Sequence, residues 1–145
     1  MNNIITIIAT DPEGIARVQK MRSEIFGQEQ GIPQEMDLDG RDESSIHVLM
    51  YQVNSPEPIA SGRLTIEGNI GTLSRIAVAQ DFRGSGIGKR MVQELEKIAK
   101  EKNIKKLTLD PHAYLEKFYT DLGYEKIPGT KQVVKHQLIT MTKNI

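Results

Sequence analysis

Apolar residues recur along this chain with two different periods, and the changes of period outline its elements. Asn3–Ala9 is a β-rich run. Asp11-Pro12 then supplies a helix N-cap and a proline at the first helical position. Ile15, Val18, Met21 and Ile25 follow at spacings of three and four, which predicts a helix to about Gln28. Gln30–Ser45 mixes glycine, proline and acids and reads as irregular, with room for a short helical turn. Ile46–Asn54, Ile59–Glu67 and Ile70–Val78 read as strands, separated by Ser55-Pro56-Glu57-Pro58 and by Gly68-Asn69. These three form an antiparallel meander. Gly84–Lys102 returns to the helical period through Ile87, Met91, Leu95 and Ile98. Lys105–Asp110 is a short strand. Tyr114–Leu122 carries Leu115, Phe118, Tyr119 and Leu122 on one helical stripe, with Gly123 as its stop. Two short strands follow, Tyr124–Lys126 and Val133–Met141. The order predicts an α+β fold: a mixed sheet flanked by helices, with an α/β strand–helix–strand unit in its middle.

Composition narrows the function classes. The chain has 145 residues and 16.3 kDa, the size of one domain spanning 1–145, and it is 38% apolar and 26% charged. It has no cysteine, which removes disulfides, thiolate-bound metals and a cysteine nucleophile. His47, His112 and His136 are far apart in sequence and lack H-x-x-x-H spacing, so no metal is expected. No apolar run reaches the roughly 18–20 residues of a membrane span. The first ten residues lack the basic stretch of a signal peptide, which suits a cytoplasmic protein. Nineteen basic residues balance nineteen acidic ones, which argues against a nucleic-acid binder. The charges are unevenly placed, however. Residues 24–43 carry seven acids and one base, and residues 82–106 carry eight bases and three acids. A chain divided in this way has one segment suited to a cation and another suited to an anion.

The anion-binding segment is specific. Arg83-Gly84-Ser85-Gly86-Ile87-Gly88-Lys89 lies between a strand and an amphipathic helix. Alternate glycines let the backbone turn tightly and let a ligand approach its amides. The N–H groups that open a helix have no intrahelical partner, and the helix dipole adds positive charge there. With Arg83 and Lys89 beside it, the turn reads as a pyrophosphate cradle. It is not a P-loop: Gly84 to Gly88 is one residue short, and Arg90 stands where a magnesium-binding hydroxyl belongs. Nor is it the dinucleotide G-x-G-x-x-G, although Asp110 imitates the ribose-binding acid of such folds.

Arg75-Ile76-Ala77-Val78, followed after four residues by Arg83-Gly84-Ser85-Gly86-Ile87-Gly88-Lys89, resembles the acetyl-CoA signature of the GCN5-related N-acetyltransferase (GNAT) superfamily. Its Q/R-x-x-G-x-G/A core falls on Arg83, Gly86 and Gly88. Phe118-Tyr119-Thr120-Asp121-Leu122-Gly123-Tyr124 resembles the F-Y-x-x-x-G-[FY] run of the same superfamily. Arg22, Phe26, Glu29-Gln30, Pro33, Glu35, Asp37, Asp39 and His47 are similar to a pattern in small bacterial ElaA/YjcF-like members. Those relatives often carry an amide residue seven positions before the tyrosine, where this chain has His112 after Pro111.

The resemblance implies direct transfer of an acetyl group from acetyl-CoA, as co-substrate and without metal, to a small-molecule primary amine. In that reading Ile76, Ala77 and Val78 hold the pantetheine arm, with His112 near it. The Arg83–Lys89 turn holds the pyrophosphate. Tyr119, whose place on an apolar stripe is equally that of a core residue, donates to the departing thiolate. Glu29, His47 and Glu67 are the candidates for the base that frees the amine. The acidic segment 24–43 favours a cationic acceptor: a polyamine, a lysine or an aminosugar. Neither nucleic acid nor membrane is an expected partner. Homodimers are common in the family, but the sequence identifies no interface. Competing readings are a non-catalytic acyl-CoA-binding module, a regulator binding ATP or NAD at the same turn, and a transferase using a longer acyl donor.

Overall fold

The computed structural model describes residues 3–133 and 136–145. One seven-stranded sheet runs through the protein in the order β1-β2-β3-β4-β5-β7-β6. Its strands are β1 (Ile4–Ile8), β2 (Ile46–Gln52), β3 (Pro58–Glu67), β4 (Ile70–Val78), β5 (Lys106–Leu109), β6 (Glu125–Val133) and β7 (His136–Asn144). Neighbours are antiparallel except β4 and β5, which run parallel. The parallel pair needs a crossover, and the helix α3 (Ile87–Glu101) supplies it. This is the α+β arrangement that the hydrophobic pattern predicts.

α3 shows why local periodicity was sufficient. Ile87, Met91, Val92, Leu95, Ile98 and Ala99 are all buried in the main core, together with Leu64, Leu73, Leu107 and Met141 of the sheet. Each large side chain so buried contributes about 1.5–3 kcal/mol. Helix α1 (Pro12–Arg22) has its amino end capped by the Asp11 carboxylate, which accepts from the Gly14 N–H at 2.9 Å. Its Val18 packs with Ala9 and Leu49, and Met21 with Ile25 and Ala77.

The structure differs from the sequence reading at several places. The first helix does not run as α-helix to Gln28; after Arg22 it widens into a π-helical turn, Ser23–Glu29. Such turns re-aim the side chains that follow them and recur at functional sites. The second is the acidic segment, which holds two short helical pieces: α2 (Gln34–Asp37) and the 3-10 turn Asp42–Ser44. The third is β6, which continues to Val133 through Pro128 and Gly129. Its residues are exposed almost throughout, so no apolar alternation marks it. Pairing with β7, with a register irregularity between Ile127 and Lys131, holds it at the sheet edge. The predicted strand Val133–Met141 starts on the last residue of β6; its positions 134–135 lie outside the described residues, and from His136 onward it is β7. The helix α4 (Glu116–Thr120) is shorter than Tyr114–Leu122 because Ala113–Leu115 forms a 3-10 turn.

Candidate functional site

The glycine turn opens α3 as a cradle. Gly84 and Gly86 have φ of 76° and 88°, left-handed conformations that cost other L-residues about 1–2 kcal/mol. Gly86 caps the helix, and its carbonyl accepts from the Arg90 N–H at 3.1 Å. A Cβ placed on either glycine meets nothing within 4 Å, so the space in front of the turn is open to a ligand. Arg83 donates from Nε to the Val78 carbonyl at 2.9 Å and from Nη2 to the Glu29 carboxylate at 2.5 Å. Lys89 is exposed on the first helical turn. Free backbone amides, a helix dipole and two cations fit a pyrophosphate. A phosphate there would share Arg83 with Glu29.

The sheet opens next to this cradle. β4 and β5 pair at Ile70–Lys106, Gly71–Leu107 and Thr72–Thr108, and no further. From Leu73 to Val78, β4 therefore has no neighbour strand on that side. On its other side it carries one extra residue against β3, since Ser61 faces Ala77 while Arg63 faces Ser74. The bulge places Arg75 at φ 54°, a strained value for a residue other than glycine. Between the diverging strands lies a cavity of about 480 Å³. Ile76, Leu109, Leu115 and Tyr119 are part of its lining, as are His112 and His136.

Tyr119 is 5% exposed, with its ring edge-on to Phe118 and Tyr124. Burial pushes its phenol up to about 12, so it keeps its proton at neutral pH. Its wall is shared with two histidines. His136 Nε2 lies 2.7 Å from the Gln30 carbonyl, and His112 Nε2 lies 3.3 Å from Gln30 Oε1. The two imidazoles meet edge-on at 5.0 Å, and His112 also stacks on Tyr114 at 5.1 Å. Burial, and then the neighbouring His136, hold His112 below the usual histidine range.

An ion-pair network reaches the same cavity through Asp37, Asp39, Arg63 and Arg75. Arg22, 1% exposed, donates to Asp37 Oδ1 at 3.3 Å, to Asp37 Oδ2 at 2.9 Å and to Asp42 at 2.8 Å. Arg63 joins Asp42 at 3.0 Å and Asp39 at 2.8 Å. Arg75 joins Asp37 at 3.0 Å and Asp39 at 3.4 Å. Three arginines thus neutralise three aspartates, and the acidic segment presents far less charge to the cavity than its composition implies. Hydrogen bonding from Arg63 lowers Asp39 to about 2. Burial alone would raise Asp42, but bonds from Arg22, Gln19 and Arg63 outweigh it and hold it well below the carboxylate range. Depressed carboxylates stabilise the fold above their unfolded pKa and lose that contribution as pH falls through the folded one. The melting temperature is therefore expected to fall between pH 4 and pH 2; a flat profile in that window would contradict the network.

The structure brings Ile76, His112 and Tyr119 into the cavity wall, and Ala77, Val78 and Arg83–Lys89 into the adjoining strand and turn. It does not bring Glu29, His47 or Glu67 there. Glu29 lies on Arg83, and Glu67 on Arg41 at 2.5 Å. His47 is 1% exposed, with Nε2 2.8 Å from the Asp42 carbonyl, and burial holds it below the usual histidine range. As placed, none of the three reaches the cavity. The sequence reading gave no role to His136, Arg63 or Arg75. His136 sits in a run that reads only as a strand, with no motif around it, and the two arginines occupy strand positions whose partners lie in a distant loop.

A model of the acetyltransferase (GNAT) domain matches residues 9–145. The chain is similar to the uncharacterised N-acetyltransferase YjcF of Bacillus subtilis. The two are 29% identical over 118 residues, covering 81% of this chain and 83% of that one. Its fold is similar to Escherichia coli ElaA, with TM-score 0.84, 19% identity and 99% of each chain covered. It is also similar to an acyl-CoA N-acyltransferase from Pseudomonas aeruginosa, with TM-score 0.83, 19% identity and 97% and 98% covered.

Proposed function

Because the chain belongs to the GNAT acetyltransferase family and is an acyl-CoA-dependent N-acetyltransferase, we propose that it transfers acetyl directly from acetyl-CoA to a small-molecule primary amine bound in the 480 Å³ cavity. The observation that carries this reading is the opening of the sheet beyond Thr72. It sets an unpaired strand edge between the glycine cradle and the cavity that Tyr119 lines.

When bound, acetyl-CoA supplies the activated acyl carbon. The Arg83–Lys89 turn receives its diphosphate, and Ile76–Val78 offer backbone groups to the amide-bearing arm. Tyr119 hydrogen-bonds the leaving sulfur. A phenol near 12 does not hand its proton completely to a thiolate, whose reference value is about 8.5. Its role is thus to stabilise developing negative charge while remaining a phenol.

The acceptor follows from the cavity lining. Of the seven acids that suggested a cationic acceptor, Asp37, Asp39 and Asp42 are paired with Arg22, Arg63 and Arg75, while Phe26, Ile32, Met36 and Leu138 line the cavity. This supports a primary amine on an apolar body over a polyamine. Among the described residues no group of histidine and carboxylates is placed to hold a metal, and no helix is long and apolar enough to cross a membrane.

The test is thermal. Acetyl-CoA at 100 times its dissociation constant adds about 2.7 kcal/mol, a rise of roughly 8 °C in melting temperature. NADH and ATP are expected to give none. A rise with either of them and not with acetyl-CoA would favour a nucleotide-binding regulator. A rise with acetyl-CoA, but no CoA release with any amine, would favour a non-catalytic acyl-CoA-binding module.

A further inference from the structure

The transferase reading gives His136 no task and places His112 only near the pantetheine arm. They come from different elements, the segment after β5 and the start of β7, and meet on the wall of the cavity that Tyr119 also lines. One residue, Gln30 at the end of the π-helical turn, holds both. Its backbone carbonyl faces His136 Nε2 at 2.7 Å, and its side-chain oxygen faces His112 Nε2 at 3.3 Å. A carbonyl only accepts, so Nε2 of His136 carries the hydrogen. In the neutral ring, Nδ1 is then the lone-pair nitrogen. Among the described residues it has no hydrogen-bond partner.

We propose that His136, clamped by Gln30 in the Nε2–H form, is the base that takes the proton from the acceptor ammonium, with His112 as a positioning residue beside it. This rests on the transferase reading above. The ammonium gives one proton to His136 Nδ1 and becomes a neutral amine. Its nitrogen lone pair forms the C–N bond to the acetyl carbon as the C–S bond breaks, and the electrons of that bond leave on sulfur, hydrogen-bonded by Tyr119. The nitrogen then loses its second proton. Of the two protons released, one ends on the CoA thiol and the other reaches solvent from His136, which returns to neutral.

The surroundings suit a transient cation. His112 lies edge-on to His136 at 5.0 Å, so a charge on one ring disfavours a charge on the other. Asp110, also on the cavity wall, is engaged by Lys131 at 2.8 Å and by Thr140. Arg75 and Asp39, also part of the cavity lining, neutralise each other at 3.4 Å. Tyr119 is a neutral phenol.

The experiment compares the wild type with His136→Gln, which keeps a donor for the Gln30 carbonyl but has no basic nitrogen. Phenethylamine is the probe amine, and CoA release is followed from pH 6 to pH 9. At pH 7, kcat/KM of the variant is expected to be about 10²-fold lower, as for loss of a general base. The deficit should shrink about tenfold per pH unit as the amine loses its proton unaided. Melting temperature and acetyl-CoA affinity should be unchanged. A deficit constant across pH, or none, would overturn the proposal, as would the same pH-dependent deficit in His112→Gln alone. The ring nitrogens of His136 in the unliganded protein, read by nitrogen-15 NMR, provide a second readout that needs no acceptor. The Nε2–H form is expected, and the Nδ1–H form would overturn the assignment. Absence of both CoA release and any acetyl-CoA melting shift in the wild type would instead defeat the transferase reading and leave the NMR result to decide the tautomer.

Discussion

Arg22→Ala is expected to lower the unfolding free energy by about 3–5 kcal/mol, the cost of breaking a buried ion pair from one side. Total stabilities are about 5–15 kcal/mol, so this variant should be marginal at room temperature. The reason is geometric. The Arg22 guanidinium is fully enclosed, and its planar fork serves Asp37 and Asp42 together. Without it, Asp37 keeps Arg75, and Asp42 keeps Arg63 and Gln19, with His47 Nε2 at 3.9 Å. Arg22→Lys should be intermediate, since an ammonium cannot reproduce the fork. Denaturant unfolding of the three proteins measures this. A loss under 1 kcal/mol in Arg22→Ala would mean that the remaining arginines suffice. The pH dependence gives a second sign. In the wild type, acid removes stability as Asp39 and Asp42 protonate. In the variant, burial of Asp42 is opposed by fewer hydrogen bonds, so its folded pKa rises and the acid loss becomes shallower.

Tyr119→Phe should have the largest effect on turnover with the least effect on the fold. The substitution removes one oxygen and keeps the edge-on ring contacts with Phe118 and Tyr124. If Tyr119 stabilises the leaving sulfur, kcat should fall about 10²-fold, in the range found for loss of one well-placed donor. The acetyl-CoA melting shift should be retained, because the cradle at Gly84–Gly86 is untouched. Burial places the phenol near 12, so the wild type should show no loss of rate from Tyr119 ionisation below about pH 10. Unchanged kcat in Tyr119→Phe would return this residue to a packing role, which its place on the apolar stripe of α4 equally allows.

The limits of sequence reading can be seen in particular residues. The α3 stripe, the Asp11 cap and the meander β2–β3–β4 depend on neighbours a few positions away, and each was legible. So was the glycine turn, since positive φ at Gly84 and Gly86 is a local demand that few residue types satisfy. β6 was largely invisible, because an exposed edge strand with proline and glycine has no apolar alternation to betray it. The π-helical turn was hidden as well: Ile25 continues the helical spacing although the backbone beneath it has widened.

The acidic segment shows the same boundary in energetic terms. Its seven acids are visible in the sequence and suggest a site for a cation. Their pairing is not visible, because Arg63 and Arg75 belong to β3 and β4 and approach Asp39 only across separations of 24 and 36 residues. The candidate base is a sharper case. Gln30 meets His112 and His136 across 82 and 106 residues, an encounter that depends on β7 lying beside β5 and on the π-helical turn delivering Gln30 to the same wall. The sequence by itself determined most of the elements, the glycine turn and the family, because backbone propensity and turn chemistry act over a few residues. Only the tertiary structure decided which charges cancel and which imidazoles meet on the cavity wall, because electrostatics depend on distances that the order of strands in the sheet creates.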